Sequence, residues 1–166
     1  PRHNVMGKRI YGLLNQELDA ITDNYQYEKI RIKNTVVDLD TDGIFNNSYP
    51  LELNMDKLNG VNFDKGCFIG QEVTARTKYR GLAKKKMISI SSPAPLRKDM
   101  LLYQDEKQIG CCHSSVKLEN ESYIALATLR MDAIKLYVNS KKGLQSNLGP
   151  IAIKPPHWYD LRTVIK

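Results

Sequence analysis

The stretch Lys65-Gly66-Cys67-Phe68-Ile69-Gly70-Gln71-Glu72 sets one thiol between two glycines, just ahead of a run from Gln71 to Arg80 that holds no breaker before Gly81. That run predicts a short helix, with Gly81 as its stop. A thiol reacts as its thiolate, and both a helix amino terminus and a neighbouring cation, here Lys65, favour that form. Cys67 is therefore the candidate catalytic residue, as nucleophile or redox group. Gly66 and Gly70 free the backbone for dihedrals closed to other residues and for close approach of another chain or a flat ligand. The competing reading is a cysteine buried as a small hydrophobe.

The same helix carries Glu72, Arg76 and Arg80 at successive spacings of four, on one face. The two guanidinium groups could hold an anion, or Arg76 could pair with Glu72; the spacing allows both. Lys84-Lys85-Lys86, with Lys78 and Arg80 nearby, forms a basic run that reads either as a solvated charge cluster or as an RNA contact. Cys111-Cys112-His113 lacks the CxxC spacing and second ligand pair of a metal site, and no metal is expected there; Ile109, Cys111 and, after a bulge, Val116 are expected to face a core. Asp38-Leu39-Asp40-Thr41-Asp42-Gly43 invites a calcium-loop reading, but the twelfth position from Asp38 is Tyr49 where the motif needs glutamate, so a solvated loop is expected. Trp158 and Tyr159 read as an aromatic plug at one end of the carboxy-terminal region.

These groups need a scaffold, and the chain is long enough for one good core or two small ones: 166 residues, 42% hydrophobic, 26% charged. The net charge of +7 favours anionic partners such as phosphates, RNA or an acidic protein surface. No apolar run approaches the roughly 20 residues that span a bilayer, so no membrane association is expected. Three cysteines, two adjacent, make no disulfide framework and point to a reducing compartment. A chain starting at Pro1 reads as a fragment or a processed form.

Residues 5–14 read as a strand. Thr22-Asp23 reads as the cap of a helix carrying Tyr27, Ile30 and Val37, and Leu51, Met55 and Leu58 predict another short helix. After Gly81 the pattern changes to short strands at 87–91, 100–103, 108–114, 123–129, 136–138 and 151–153. The expected class is α+β: an α+β part over 1–81 and a small all-β barrel domain over 82–166.

The motif at 65–72 resembles the signature of the YgfZ family of folate-binding proteins, which are related to the aminomethyltransferase, or T-protein, of glycine cleavage. It fits the pattern Lys-Gly-Cys-aromatic-x-Gly-Gln-Glu at every fixed position. Flanking matches are Tyr49-Pro50-Leu51-Glu52, Asn59-Gly60-Val61-Asn62-Phe63-Asp64, Ala75-Arg76 and Arg80-Gly81, with a more diffuse likeness at Ile109-Gly110, Ala125-Leu126-Ala127 and residues 155–159. The resemblance implies that 1–81 is the carboxy-terminal part of a T-protein-like folate-binding region, with a further amino-terminal region upstream. It also implies tetrahydrofolate, or a derivative, as cofactor. The implied role is that of an accessory factor for assembly, repair or maintenance of iron–sulfur enzymes, including those that thiolate tRNA, in the bacterial cytoplasm or the mitochondrial matrix. Its partners would be iron–sulfur client or assembly proteins. Lys65, Gly66, Gly70, Gln71, Glu72, Arg76 and Arg80 become candidate folate contacts, because a pterin edge suits carboxylates and amides and a glutamate tail suits arginine. The T-protein usually has an acidic residue where this chain has Cys67 and a different tail after the second glycine, which argues against the alternative of a folate-dependent aminomethyltransferase. The other alternative is a basic RNA-binding β-module.

Overall fold

The computed structural model describes residues 4–6, 24–43, 48–67, 69–81 and 83–161. Six strands close into an antiparallel barrel: β1 Lys85–Ser92, β2 Leu101–Gln104, β3 Lys107–Lys117, β4 Tyr123–Arg130, β5 Leu144–Ser146 and β6 Gly149–Ile153. Their order around the barrel is β1-β4-β3-β2-β5-β6. With the helices α1 Asn24–Lys33, α2 Leu39–Asp42, α3 Gln71–Tyr79 and α4 Met131–Ser140, this is the expected α+β chain with a small barrel.

The barrel has two apolar faces because β1 and β4 are covered on both sides. Alternate residues Ile88, Ile90, Ala125, Ala127 and Leu129 point inward to meet Leu102, Ile109 and Leu144. Their neighbours Met87, Ile124 and Leu126 point outward and pack on Ile32, Val37 and Leu53 of the preceding segment. A strand covered on both faces loses its alternation of burial, as at Met87–Ile90, where four consecutive residues are buried and only Ser89 is polar. The segment before the barrel is thereby clamped to the outer face of β1 and β4. Gly110 has no room for a side chain there: a Cβ would lie 1.9 Å from the Thr128 carbonyl oxygen on β4.

Several expectations are corrected. The strand expected at 136–138 is part of α4: Ala133 with Tyr137, and Ile134 with Val138, are pairs four apart that pack onto the barrel core. Cys112, not Cys111, enters that core. Tyr103 pairs with Gln108 and Leu102 with Gly110, so Ile109 is an extra bulged residue that shifts the alternation by one. The helix expected over Leu51, Met55 and Leu58 is a series of turns, with Asn54 at φ 59 interrupting helical geometry. α1 buries Arg31 and Ile32, while Tyr27 and Ile30 lie on its exposed side. The cap at Thr22-Asp23 lies outside the described residues, as does most of the strand expected at 5–14, whose start falls in a 3-10 turn at Asn4–Met6.

The segment 38–43 is only partly solvated: Leu39, Asp40 and Thr41 are exposed, but residues 39–42 form α2 and Asp42 is buried. Asp38 caps α2 by accepting from the Asp40 N–H, and Asp42 is buried in an ion pair with buried Arg31. Arg31 also donates to Glu28, at 3.0 and 2.5 Å, and to the Val36 carbonyl at 3.1 Å. Asp42 accepts from the Asp38 N–H at 2.9 Å, and from the Ser114 N–H at 3.0 Å and its hydroxyl. This network ties α1 and α2 to β3.

Candidate functional site

The motif is mounted on the barrel through the turns at 51–58. The Met87 N–H donates to the Glu52 carbonyl at 2.7 Å, and Asn54 Nδ2 donates to the Met87 carbonyl at 2.7 Å, so both backbone groups of Met87 on β1 are engaged. Lys85 and Lys86 are half-buried rather than solvated: Lys86 Nζ donates to the Leu51 carbonyl, and Lys85 lies 4.0 Å from Glu52. Burial lowers the Lys86 pKa; burial raises that of Glu52, against the pull of both lysines.

From there the chain passes a second left-handed residue, Asn59 at φ 57. The Asn62 side chain then accepts from the Asp64 N–H at 2.8 Å, closing a local turn that launches the motif. Lys65, Gly66 and Cys67 are all exposed, and Cys67 is a free thiol. Gly70, at φ 88, occupies the cap position of α3 in the left-handed conformation that favours glycine. Gly66 has no such φ; what it offers is an open backbone, with nothing within 4 Å of where a Cβ would stand. Cys67 is accessible, which removes the reading as a small core hydrophobe.

α3 buries no residue of its own. It is held at its carboxy-terminal end, where Lys78 Nζ meets Asp56 at 2.9 Å and lies 5.1 Å above the Phe63 ring. The same ring meets Tyr79 edge to face at 6.3 Å. Glu72 and Arg76 lie on α3 and Arg80 caps its carboxy-terminal end, and all three are exposed. At 1.5 Å per residue, Arg80 lies ~12 Å along the axis from Glu72. Among the described residues no ion pair joins Glu72 to Arg76. Gln71 is half-buried. The eight candidates thus form one continuous open surface from Lys65 to Arg80 rather than the lining of a cleft.

The sequence pattern did not single out Asp56, and it offered Trp158 and Tyr159, with His157, only as an aromatic plug at the barrel end. Asp56, Trp158 and Tyr159, with Lys78 and Lys86, line a cavity of about 350 Å³ between the last turn of α3 and the barrel. The aromatic plug packs as expected: Tyr159 is part of the barrel core and Trp158 lies against it. Among the described residues no group of three or more histidine, cysteine or acidic side chains is placed to hold a metal ion, and His113 Nε2 is engaged with the Thr128 hydroxyl at 2.7 Å.

No family model matches the chain. Individual relatives do, over regions that take up from about a quarter to two-thirds of it. The chain is 35% identical over 98 residues, 54% of its length, to the mitochondrial iron–sulfur cluster assembly factor IBA57 homolog of Dictyostelium discoideum. It is 36% identical over 107 residues, 61% of its length, to the tRNA-modifying protein YgfZ of Aliivibrio fischeri. To the mitochondrial iron–sulfur cluster assembly factor IBA57 of Mus musculus it is 30% identical over 111 residues, 66% of its length. Its homologues are the YgfZ/IBA57 proteins. The matched regions cover 24%, 33% and 31% of those three relatives, so the chain spans about a quarter to a third of their length. Among the described residues no helix is long and apolar enough to cross a membrane.

Proposed function

We propose that the protein is a tetrahydrofolate-binding accessory factor for assembly, repair or maintenance of iron–sulfur enzymes, with Cys67 as its working thiol. The observation that carries this reading is the accessibility of Cys67 on a bare loop, beside a glycine-capped helix, in a chain whose relatives are named as iron–sulfur assembly and tRNA-modifying proteins. The exposed donor set fits the two ends of a folate. Arg76 and Arg80 would hold the anionic glutamate tail, and Gln71 and Glu72 would meet the donor–acceptor edge of the pterin. The described residues supply one wall of such a site. Bound folate would supply a carrier for one-carbon groups, while the open backbone at Gly66 and Gly70 leaves space for a partner to reach the Cys67 sulfur.

The test is rescue of iron–sulfur enzyme activity in cells lacking the full-length protein. Cys67→Ser, an isosteric change at an exposed position, is expected to leave abundance unchanged and abolish rescue. Full rescue at matched abundance would refute a chemical role. Calorimetry of the full-length protein with tetrahydrofolate tests the cofactor separately; Arg76→Ala should weaken binding, and its failure to do so would remove the tail contact.

A further inference from the structure

We infer that the cavity between the end of α3 and the Trp158–Tyr159 corner is a site for a small aromatic carboxylate, with Lys57 as the cation that takes the anionic group. Its volume of about 350 Å³ falls at the lower end of the range found for ligand pockets, about 300–1,000 Å³. Of α3 it takes only Thr77 and Lys78. It is therefore distinct from the surface bearing Arg76 and Arg80, and the inference stands apart from the folate reading.

The charged residues that line the cavity decide the sign of the ligand. Lys57, Lys78 and Lys86 stand there against Asp56 and Asp160. Asp56 is largely spent, because its side chain is 7% exposed and is bound by Lys78 at 2.9 Å, so those two charges offset each other. Lys86 Nζ donates to the Leu51 carbonyl, a neutral partner that leaves its positive charge in place. Lys57 is exposed, and no described residue pairs with its side chain. Two cations thus remain against the single acid Asp160, itself exposed. Burial lowers the Lys86 pKa first, and the fields of Lys78 and Lys57 lower it further, against Asp56 and Glu52. Lys86 therefore lies within electrostatic reach of both other lysines, and a concavity where one sign of charge prevails concentrates ions of the opposite sign. A cationic ligand would add to that repulsion.

The walls decide the body of the ligand. Leu51, Ala83 and Met131 are apolar. Trp158 is half-buried, and Tyr159 braces its ring edge to face with the centroids 5.5 Å apart. Apolar and aromatic lining with one charged group at hand suits a ring that carries an anion, rather than a bare inorganic ion. One surplus positive charge also matches a carboxylate better than a phosphate monoester, which carries about −1.5 to −2 at neutral pH.

Trp158 is the only tryptophan of the chain, so its fluorescence reports on this cavity. Titration of the chain with 4-bromobenzoate, whose bromine quenches indole emission, is expected to give saturable quenching with half-saturation at about 1 mM or below. The neutral isostere 4-bromobenzamide should bind at least about twofold more weakly. Lys57→Gln should weaken 4-bromobenzoate about 2- to 5-fold, the worth of one exposed ion pair, and Lys57→Glu should weaken it further. Neither variant should shift the melting temperature appreciably, because Lys57 has no partner to lose. Lys98→Gln, an exposed lysine outside the cavity, should leave the affinity unchanged. Quenching that stays linear up to the solubility limit would overturn the inference, as would equal affinity for the acid and the amide. Unchanged affinity in both Lys57 variants would overturn it too, and so would an equal loss in Lys98→Gln, which would trace the effect to net charge alone.

Discussion

The three cysteines should differ in reactivity by orders of magnitude, in the order Cys67, Cys111, Cys112. Burial, with a contribution from Cys111, pushes the Cys112 thiol up to about 12. At pH 8 a thiol with that pKa is ~10⁻⁴ ionised, against about a quarter for a free thiol of ordinary pKa 8.5, a factor of ~2,000. A more basic thiolate is intrinsically more nucleophilic, and a Brønsted slope of about 0.4–0.5 returns roughly 25- to 55-fold of this. Ionisation therefore leaves Cys112 about 40- to 100-fold slower than a free thiol. It is also fully buried, so any local opening needed to admit reagent slows it tenfold more for each ~1.4 kcal/mol. Cys111 is half-buried, and burial and then Asp99 raise its pKa too. Cys67 is exposed, so reagent reaches it without any opening of the fold. With dithionitrobenzoate at pH 8, followed by mass spectrometry of the labelled peptides, Cys67 should account for the fast phase and outrun Cys112 by at least ~10². Cys67→Ser should remove that phase, and denaturant should bring the remaining two rates together. Persistence of the fast phase in Cys67→Ser, or a ratio below ten between Cys67 and Cys112, would refute the assignment of the accessible thiol.

Two further predictions concern the frame that holds the motif. Arg31→Met leaves Asp42 as a buried carboxylate without its cation and should cost about 3–5 kcal/mol in denaturant unfolding; Arg31→Met/Asp42→Asn should recover most of it, and a loss under about 1 kcal/mol in the single variant would show that the network does not stabilise the fold. Burial depresses the His113 pKa below its ordinary value despite Asp42 and Asp99, so the folded ring stays neutral where the unfolded ring takes up a proton; stability is fully present above about pH 6.5 and falls with pH below it, by at most ~1.4 kcal/mol per pH unit. The difference in stability between wild type and His113→Gln, measured from pH 7.5 to 5.5, should shrink correspondingly, and a difference independent of pH would rule the histidine out as its source.

The features legible from sequence are those set within a few residues. α3 was readable because its stop, Gly81, and its entry, Gly70, are local and steric: both take positive φ. The barrel was readable because five of its six strands carry apolar runs bounded by turn residues, whereas β5 has three residues and only Leu144 and Ser146 buried. What failed depended on distant partners. The parity of Cys111 and Cys112 is set by the bulge at Ile109, and that bulge exists only because β2 pairs across it. Leu136-Tyr137-Val138 is as apolar as a strand, and only the inclusion of Ala133 and Ile134 one turn earlier reveals helical spacing. Arg31 and Asp42 are separated by a bend that no local signal predicts. Asp42 looked like a solvated acid because its cation, Arg31, lies in the preceding helix.

The same distinction explains why the motif surface and the cavity beside it differ in kind. The motif surface is contiguous in sequence, so its residue types could be read directly, but contiguity also leaves it flat: a loop and one helix cannot enclose a ligand, and α3 buries none of its own side chains. The cavity gathers Asp56, Lys78, Lys86 and Tyr159 from separate segments, which is what enclosure requires and what sequence spacing cannot display. Lys78 ties the two regions together, since it lines the cavity and its bond to Asp56 holds the end of α3.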